Sequence, residues 1–204
     1  MRDDDQMTLV QPAEKYLSSY RAALEAGWSP NTLDPAAGRA ELDRLDADPD
    51  AFLAAQDDRE ATGGPVSLPD GTCVPRLPGF RRWIWDDDFV GIISVRWQPG
   101  SGALPPHVLG HIGFNIVPWK RRLGHATAAL AALLPELREV GLPYVELTTD
   151  VDNIASQKVI TANGGLLVGR FDKPVAYGSR GPALRWRIAL DGDIPPAASV
   201  PNVP

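Results

Sequence analysis

The chain has 204 residues, 44% of them hydrophobic and 23% charged, with a formal net charge of −6. This is the composition of an ordinary globular domain with a real core, and no apolar run approaches the roughly 18 residues a membrane helix needs. The charge is uneven: residues 1–60 carry 14 acidic and 6 basic side chains, the rest 12 and 14. An acidic first part argues against a nucleic-acid surface and suits either a cationic amine ligand or a solvated helix face.

The opening MRDDDQ is acidic and has no apolar segment, so it does not read as a secretory signal. A single cysteine, Cys73, excludes an internal disulfide framework and suits a reducing cytoplasm. Cys73 lies in a Pro/Gly-rich stretch and reads as structural or incidental.

After a disordered acidic tip, Met7–Val10 reads as a short strand. Pro12 sits at a helix start, and Ala13–Gly27 follows as a helix with Tyr16, Leu17, Tyr20, Ala23 and Leu24 on one face. Trp28–Gly38 is a loop by its Pro, Asn and Gly content. A second helix is expected within Ala40–Asp58, with Pro49 at the start or bend of its second half. Gly63–Gly79 holds four prolines and several glycines and reads as a linker or surface loop.

Phe80–Trp85 and Phe89–Trp97 flank Asp86–Asp88 and form a hairpin. Gln98–Pro106 is a second Pro/Gly loop, and His107–Val117 a strand. Gly124–Val140 is an apolar-faced helix. Pro135 lies inside it and cannot donate to the carbonyl of Ala131, which predicts a kink or a break. Tyr144–Thr149 is a strand, Asp152 or Asn153 caps a helix to about Ala162, and Asn163-Gly164-Gly165 ends it. Leu166–Phe171 and Leu184–Leu190 are the last strands. The tail from Asp191, rich in proline, reads as disordered. Residues 1–190 thus form one domain and 191–204 a tail.

This order, β, α, α, β, β, β, α, β, α, β, β, predicts an α/β (α+β) domain with a central mixed, mostly antiparallel sheet flanked by helices. Within it, Arg121-Arg122-Leu123-Gly124-His125-Ala126 follows an apolar strand and opens a helix. Unpaired N–H groups at a helix N-terminus point at an anion, and the macrodipole adds to their attraction. Gly124 lets the backbone approach a ligand, and small Ala126 keeps the first turn clear. The placement makes a pyrophosphate cradle, to which Arg121 and Arg122 add charge-assisted contacts.

This R-x-x-G-x-A turn resembles the acetyl-CoA motif of the GNAT superfamily of N-acetyltransferases, whose element order matches nearly the whole chain. Closer resemblance is to a branch of predicted acetyltransferases with an H-I-G-Y/F strand and a T-x-D-x-D-N run. Here those strings are His111-Ile112-Gly113-Phe114 and Thr148-Thr149-Asp150-Val151-Asp152-Asn153. The resemblance implies an acetyl-CoA-dependent transfer to the amine of a small molecule or a peptide, by direct attack in a ternary complex. Three scattered histidines and one cysteine lack ligand spacing and predict no metal, and charge and hydropathy predict no nucleic-acid or membrane partner; the resemblance allows a homodimer, since many relatives are dimers.

By the same resemblance, Phe114, Asn115, Ile116 and Val117 meet the pantetheine arm through main-chain groups, one of which is the oxyanion donor. Arg121 through Ala126 hold the pyrophosphate, and Asn153 reaches toward the cofactor or simply caps its helix. Family members often place a tyrosine seven residues after that Asn as the acid for the thiolate. Here the position is Ile160, leaving Tyr177 and Tyr144 as substitutes. The base is sought among His111, His107, Glu146 and Asp150. Strand alternation points His111 away from the face shared by Gly110 and Ile112. Trp28, in the loop after the first helix, is a candidate pocket wall. Loss of the tyrosine also admits a rival reading, an acyl-CoA-binding regulatory module with impaired chemistry.

Overall fold

The computed structural model describes residues 7–31, 34–177 and 181–191. The expected acidic tip (residues 1–6) and nearly all of the expected Pro-rich tail lie outside them. Seven main strands and five helices follow one another: β1 (Thr8–Val10), α1 (Leu17–Glu25), α2 (Ala37–Ala47), α3 (Pro49–Ala54), β2 (Gly79–Asp86), β3 (Asp88–Arg96), β4 (Ile112–Ile116), α4 (His125–Glu139), β5 (Tyr144–Asp150), α5 (Ile154–Ala162), β6 (Leu166–Asp172) and β7 (Pro182–Ala189).

The expected α/β class stands, but the central sheet divides in two. One sheet has the order β1-β2-β3-β4, with Asp57–Asp58 also paired to β2; the other has the order β5-β7-β6. Every ladder among the described strands is antiparallel. The neighbours β4 and β5 form no ladder, and the gap between them opens a cleft.

The first sheet is buried on both faces. On one, Phe80, Ile84, Ile93, Val95, Ile112 and Ile116 meet Leu130, Leu133 and Leu137 of α4, which also pack on Val145, Leu147, Trp186 and Ile188 of the second sheet. One helix therefore holds both sheets by a continuous apolar stripe, the main stabilising contribution here. On the other face, Tyr20 stacks on Trp83 with ring centroids 4.3 Å apart, and Trp28, Phe52 and Phe89 complete an aromatic core under α1 and α2. Glu41 of α2 is buried there, accepting from Tyr20 and, at 2.9 and 3.1 Å, from Arg81 of β2.

Four expectations need adjusting. The second helix is two, because Asp48 caps a new start through a 2.9 Å bond from the Ala51 N–H and Pro49 occupies its first turn. The loop before β2 contains a small ladder of Val66–Ser67 with Cys73–Val74. The strand expected over 107–117 shortens to Ile112–Ile116.

Pro135 does not break α4, which runs unbroken from His125 to Glu139. Pro135 and Ala131 are both exposed, so the freed carbonyl lies on the solvent face of the helix, while buried Leu133 and Leu137 hold the helix to the sheets.

Candidate active site

The two sheets separate at His111. Its main-chain N–H donates to the Glu146 carbonyl at 2.7 Å, and its Nδ1 accepts the Glu146 N–H at 2.9 Å. Beyond this point β4 pairs only with β3, and the edge of β4 that faces β5 is free.

Antiparallel alternation decides which groups lie on that edge. At one end Arg96 donates to the His111 carbonyl, and at the other the Val117 N–H donates to the Val90 carbonyl. Odd-numbered residues of β4 therefore spend their main-chain groups on β3. Phe114 and Ile116 turn theirs to the cleft, and the Ile116 carbonyl accepts from Arg121 Nε at 3.0 Å. Gly91 permits the tight pairing behind this edge, since a Cβ there would lie 2.2 Å from the Asn115 carbonyl oxygen.

At the end of β4 the chain makes the cradle. Gly124 has φ +85° with no atom within 4 Å of where a Cβ would stand, and Arg122 also has a positive φ, 66°. A left-handed arginine is an uncommon, strained conformation held by its surroundings. Gly124 caps α4 without any side-chain bond, and the first intrahelical bond is Ala128 N–H to the Gly124 carbonyl. The N–H groups of Gly124, His125, Ala126 and Thr127 are thus left without intrahelical acceptors, and all four residues line the cleft.

The cleft, about 1950 Å³, continues past the free edge to the other side of the first sheet. There the Asn115 side chain donates to the Ser29 carbonyl at 2.7 Å and fastens the loop after α1 onto β4. Tyr177, in a short turn between β6 and β7, lines the cleft and donates to the His107 carbonyl at 2.8 Å. Burial pushes its pKa up, while nearby Arg96 pulls it down. Lys173 pairs with Asp150 at the same end. Residues 32–33 and 178–180 lie outside the described residues.

The sequence-predicted site residues divide clearly. Phe114, Asn115, Ile116, Arg121, Arg122, Gly124, His125, Ala126, Asn153 and Tyr177 all line the cleft. The His125 ring turns aside, with Nε2 3.6 Å from Asp86 Oδ2, so only its main chain serves the cradle. Asn153 caps α5, its Oδ1 accepting from Ser156 N–H at 3.1 Å. Val117 is buried in the aromatic core, and the Leu123 side chain is exposed, away from the cleft.

His111 and Glu146 do not line the cleft. His111 is fully buried, and burial, followed by the charges of Arg96 and Arg187, lowers its pKa to about 4. The Glu146 carboxylate is also buried and accepts from Arg187 Nη2 at 2.7 Å, with Arg185 3.7 Å away. Tyr144 carries the Arg187 guanidinium over its ring at 4.0 Å. Trp28, the expected pocket wall, belongs to the aromatic core. Ile160 lies on the wall of the cleft but is almost wholly buried against Gly165.

Sequence reasoning missed Arg96 and the Glu41–Arg81 pair. Ser94 and Arg96 stood at period two on a strand otherwise apolar, which marks a face that is not core.

A splayed pair of sheets with a free strand edge and an uncapped helix start defines the acetyltransferase class of fold. The family model for the acetyltransferase (GNAT) domain matches residues 27–165. The chain belongs to the GNAT family and is an acetyltransferase by that membership. No curated protein matches it.

Solved structures share the fold. The microcin C7 self-immunity acetyltransferase MccE, in complex with acetyl-CoA and AMP, is 15% identical, with 91% of this chain and 93% of that one covered and a TM-score of 0.62. Mycobacterium smegmatis RimJ, in complex with CoA-disulfide, is 17% identical over 90% and 81%, with a TM-score of 0.60. RimL, a ribosomal L7/L12 alpha-N-protein acetyltransferase, in complex with coenzyme A, is 15% identical over 92% and 96%, with a TM-score of 0.59. At these identities the likeness is one of fold.

Proposed function

We propose that the protein moves an acetyl group from acetyl-CoA to a primary amine, on a small molecule or a peptide, by direct attack in a ternary complex. The observation that carries this reading is the start of α4, where four residues whose N–H groups have no intrahelical acceptor line the cleft beside a left-handed Gly124. An anionic pyrophosphate answers that arrangement. Arg122 adds charge at its rim. Arg121 is oriented by its bond to Ile116 and joins the cradle to the strand edge.

The main-chain groups of Phe114 and the N–H of Ile116 offer the pantetheine arm a strand-like partner, and an N–H of this edge serves the thioester oxygen. Acetyl-CoA supplies the activated acyl carbon. The amine nitrogen bonds to that carbon, the carbon–sulfur bond breaks, and the amine's proton leaves to water. Of the two candidate acids, Tyr177 lines the cleft and Tyr144 does not, and Tyr177 is assigned the proton for the departing thiolate. His111 and Glu146, held against each other's strands, are positioning residues that fix the angle of the cleft.

Thiol release from acetyl-CoA against a panel of amines tests the proposal. Amine-dependent release supports it. Acetyl-CoA binding with no release on any amine favours the regulatory module instead.

A further inference from the structure

Glu41 takes up Arg81 and Arg44, and Asp58 lies within 3.8 Å of Arg76. Arg96, which lines the cleft beside Ser94 and Gly113, is left with no carboxylate partner among the described residues. It ends β3 on the same face as Ser94 and the Asn115 side chain. Among the described residues the one hydrogen bond of its guanidinium runs to the Gly110 carbonyl at 3.4 Å, near the outer limit; the bond to the His111 carbonyl is made by its main-chain N–H. Gly113 sits beneath it, and a Cβ there would stand 3.7 Å from its Nη2, so the bare strand leaves the guanidinium's flank open. Tyr177, Arg81 and the neutral His111 are its charged or titratable neighbours, and burial, the largest influence, holds its pKa below the usual guanidinium value.

A partly buried cation without a counter-ion is costly, and the cost is recovered when an anion arrives. The planar fork of a guanidinium fits carboxylate or phosphate. Arg96 reaches the Gly113 level of β4, two residues from Asn115, which is about 7 Å along a strand. We infer that the acceptor is an amine carrying an anionic group, carboxylate or phosphate, several bonds from its nitrogen, and that Arg96 selects it. This rests on the acetyl-transfer reading above.

The test compares matched acceptors: 4-aminobutyrate against its amide, and O-phosphoethanolamine against ethanolamine, with acetyl-CoA binding measured on the same samples. In the wild type the anionic member of at least one pair is expected to have a kcat/KM roughly 10-fold higher, or more, because hydrogen bonds to a charged partner are worth that much. Whichever pair shows the preference tells carboxylate from phosphate. In Arg96→Gln the preference within each pair disappears and acetyl-CoA affinity holds, any change through the acidity of Tyr177 falling on both members alike, and Arg96→Lys restores part of the preference.

Equal use of both members in both pairs by the wild type overturns the inference, as does a preference that survives in Arg96→Gln. Where turnover is too slow to rank the amines, calorimetric binding of the same four to the CoA-bound wild type decides by the same criterion. If the wild type binds no acetyl-CoA, the acetyl-transfer reading itself fails. Acetyl-CoA binding without an anionic preference refutes this inference alone.

Discussion

The imidazole of His111 does for Glu146 what a neighbouring strand would do. Its Nδ1 takes the Glu146 N–H at 2.9 Å while its own main-chain N–H goes to the Glu146 carbonyl at 2.7 Å. The two sheets are pinned at one residue and diverge from there. Accepting at Nδ1 requires an unprotonated nitrogen, so the pin holds only while the ring is neutral.

This makes stability depend on pH with a definite sign. The His111 pKa falls from 6.5 to about 4 on folding, with burial the first cause. The unfolded chain therefore takes up the proton first. Its contribution is complete above about pH 6.5 and is lost as pH falls toward 4, in total about 3 kcal/mol. Urea midpoints across this range should drop in the wild type and drop less in His111→Gln, measured from that variant's own value at pH 7. Parallel slopes for the two proteins would remove His111 as the cause.

Gly91→Ala should be severe. The new Cβ would meet the Asn115 carbonyl oxygen at 2.2 Å and the Ile116 Cα at 2.9 Å, both backbone atoms that yield only if β4 shifts. We expect a loss of about 3 kcal/mol and weaker acetyl-CoA binding, measured by denaturation and calorimetry. Unchanged affinity in a folded Gly91→Ala protein would show that the edge of β4 is not used.

Glu41→Gln should destabilise without touching the cofactor site. The buried carboxylate ties Tyr20 of α1 and Arg81 of β2 to α2, and its loss leaves Arg81 unpaired. Removing one partner from such a pair costs about 3 kcal/mol, visible as a lower melting temperature with acetyl-CoA affinity retained.

Tyr177→Phe keeps the ring and removes the hydroxyl bonded to the His107 carbonyl. If Tyr177 delivers the thiolate proton, kcat should fall roughly 10²-fold, with acetyl-CoA binding unchanged. A kcat within a factor of two of the wild type would return that role to water.

Much of the fold was legible because it rests on local signals. Pro12, Pro49, the Asp86–Asp88 turn and Asn163-Gly164-Gly165 each mark an element end by their own backbone chemistry. The cradle was legible for the same reason, since Gly124 and the start of α4 are neighbours in sequence. The fates of His111 and Glu146 were not, because they depend on a contact 35 residues apart. A strand histidine reads alike whether it faces a ligand or another strand's amide. Pro135 misled because the exposure of Ala131, which makes its lost bond tolerable, is a tertiary fact. Arg96 was passed over because an arginine's missing partner shows only when the surrounding carboxylates are seen to be engaged elsewhere.

The central claim is that the bare start of α4 holds the pyrophosphate of acetyl-CoA. Calorimetric titration of acetyl-CoA into the wild type and into Gly124→Glu tests it most directly, with circular dichroism confirming that the variant folds. The account predicts micromolar binding by the wild type and none by the variant, whose carboxylate adds negative charge and a strained φ where the anion must sit. Equal binding by the two proteins, or none by the wild type, would contradict it.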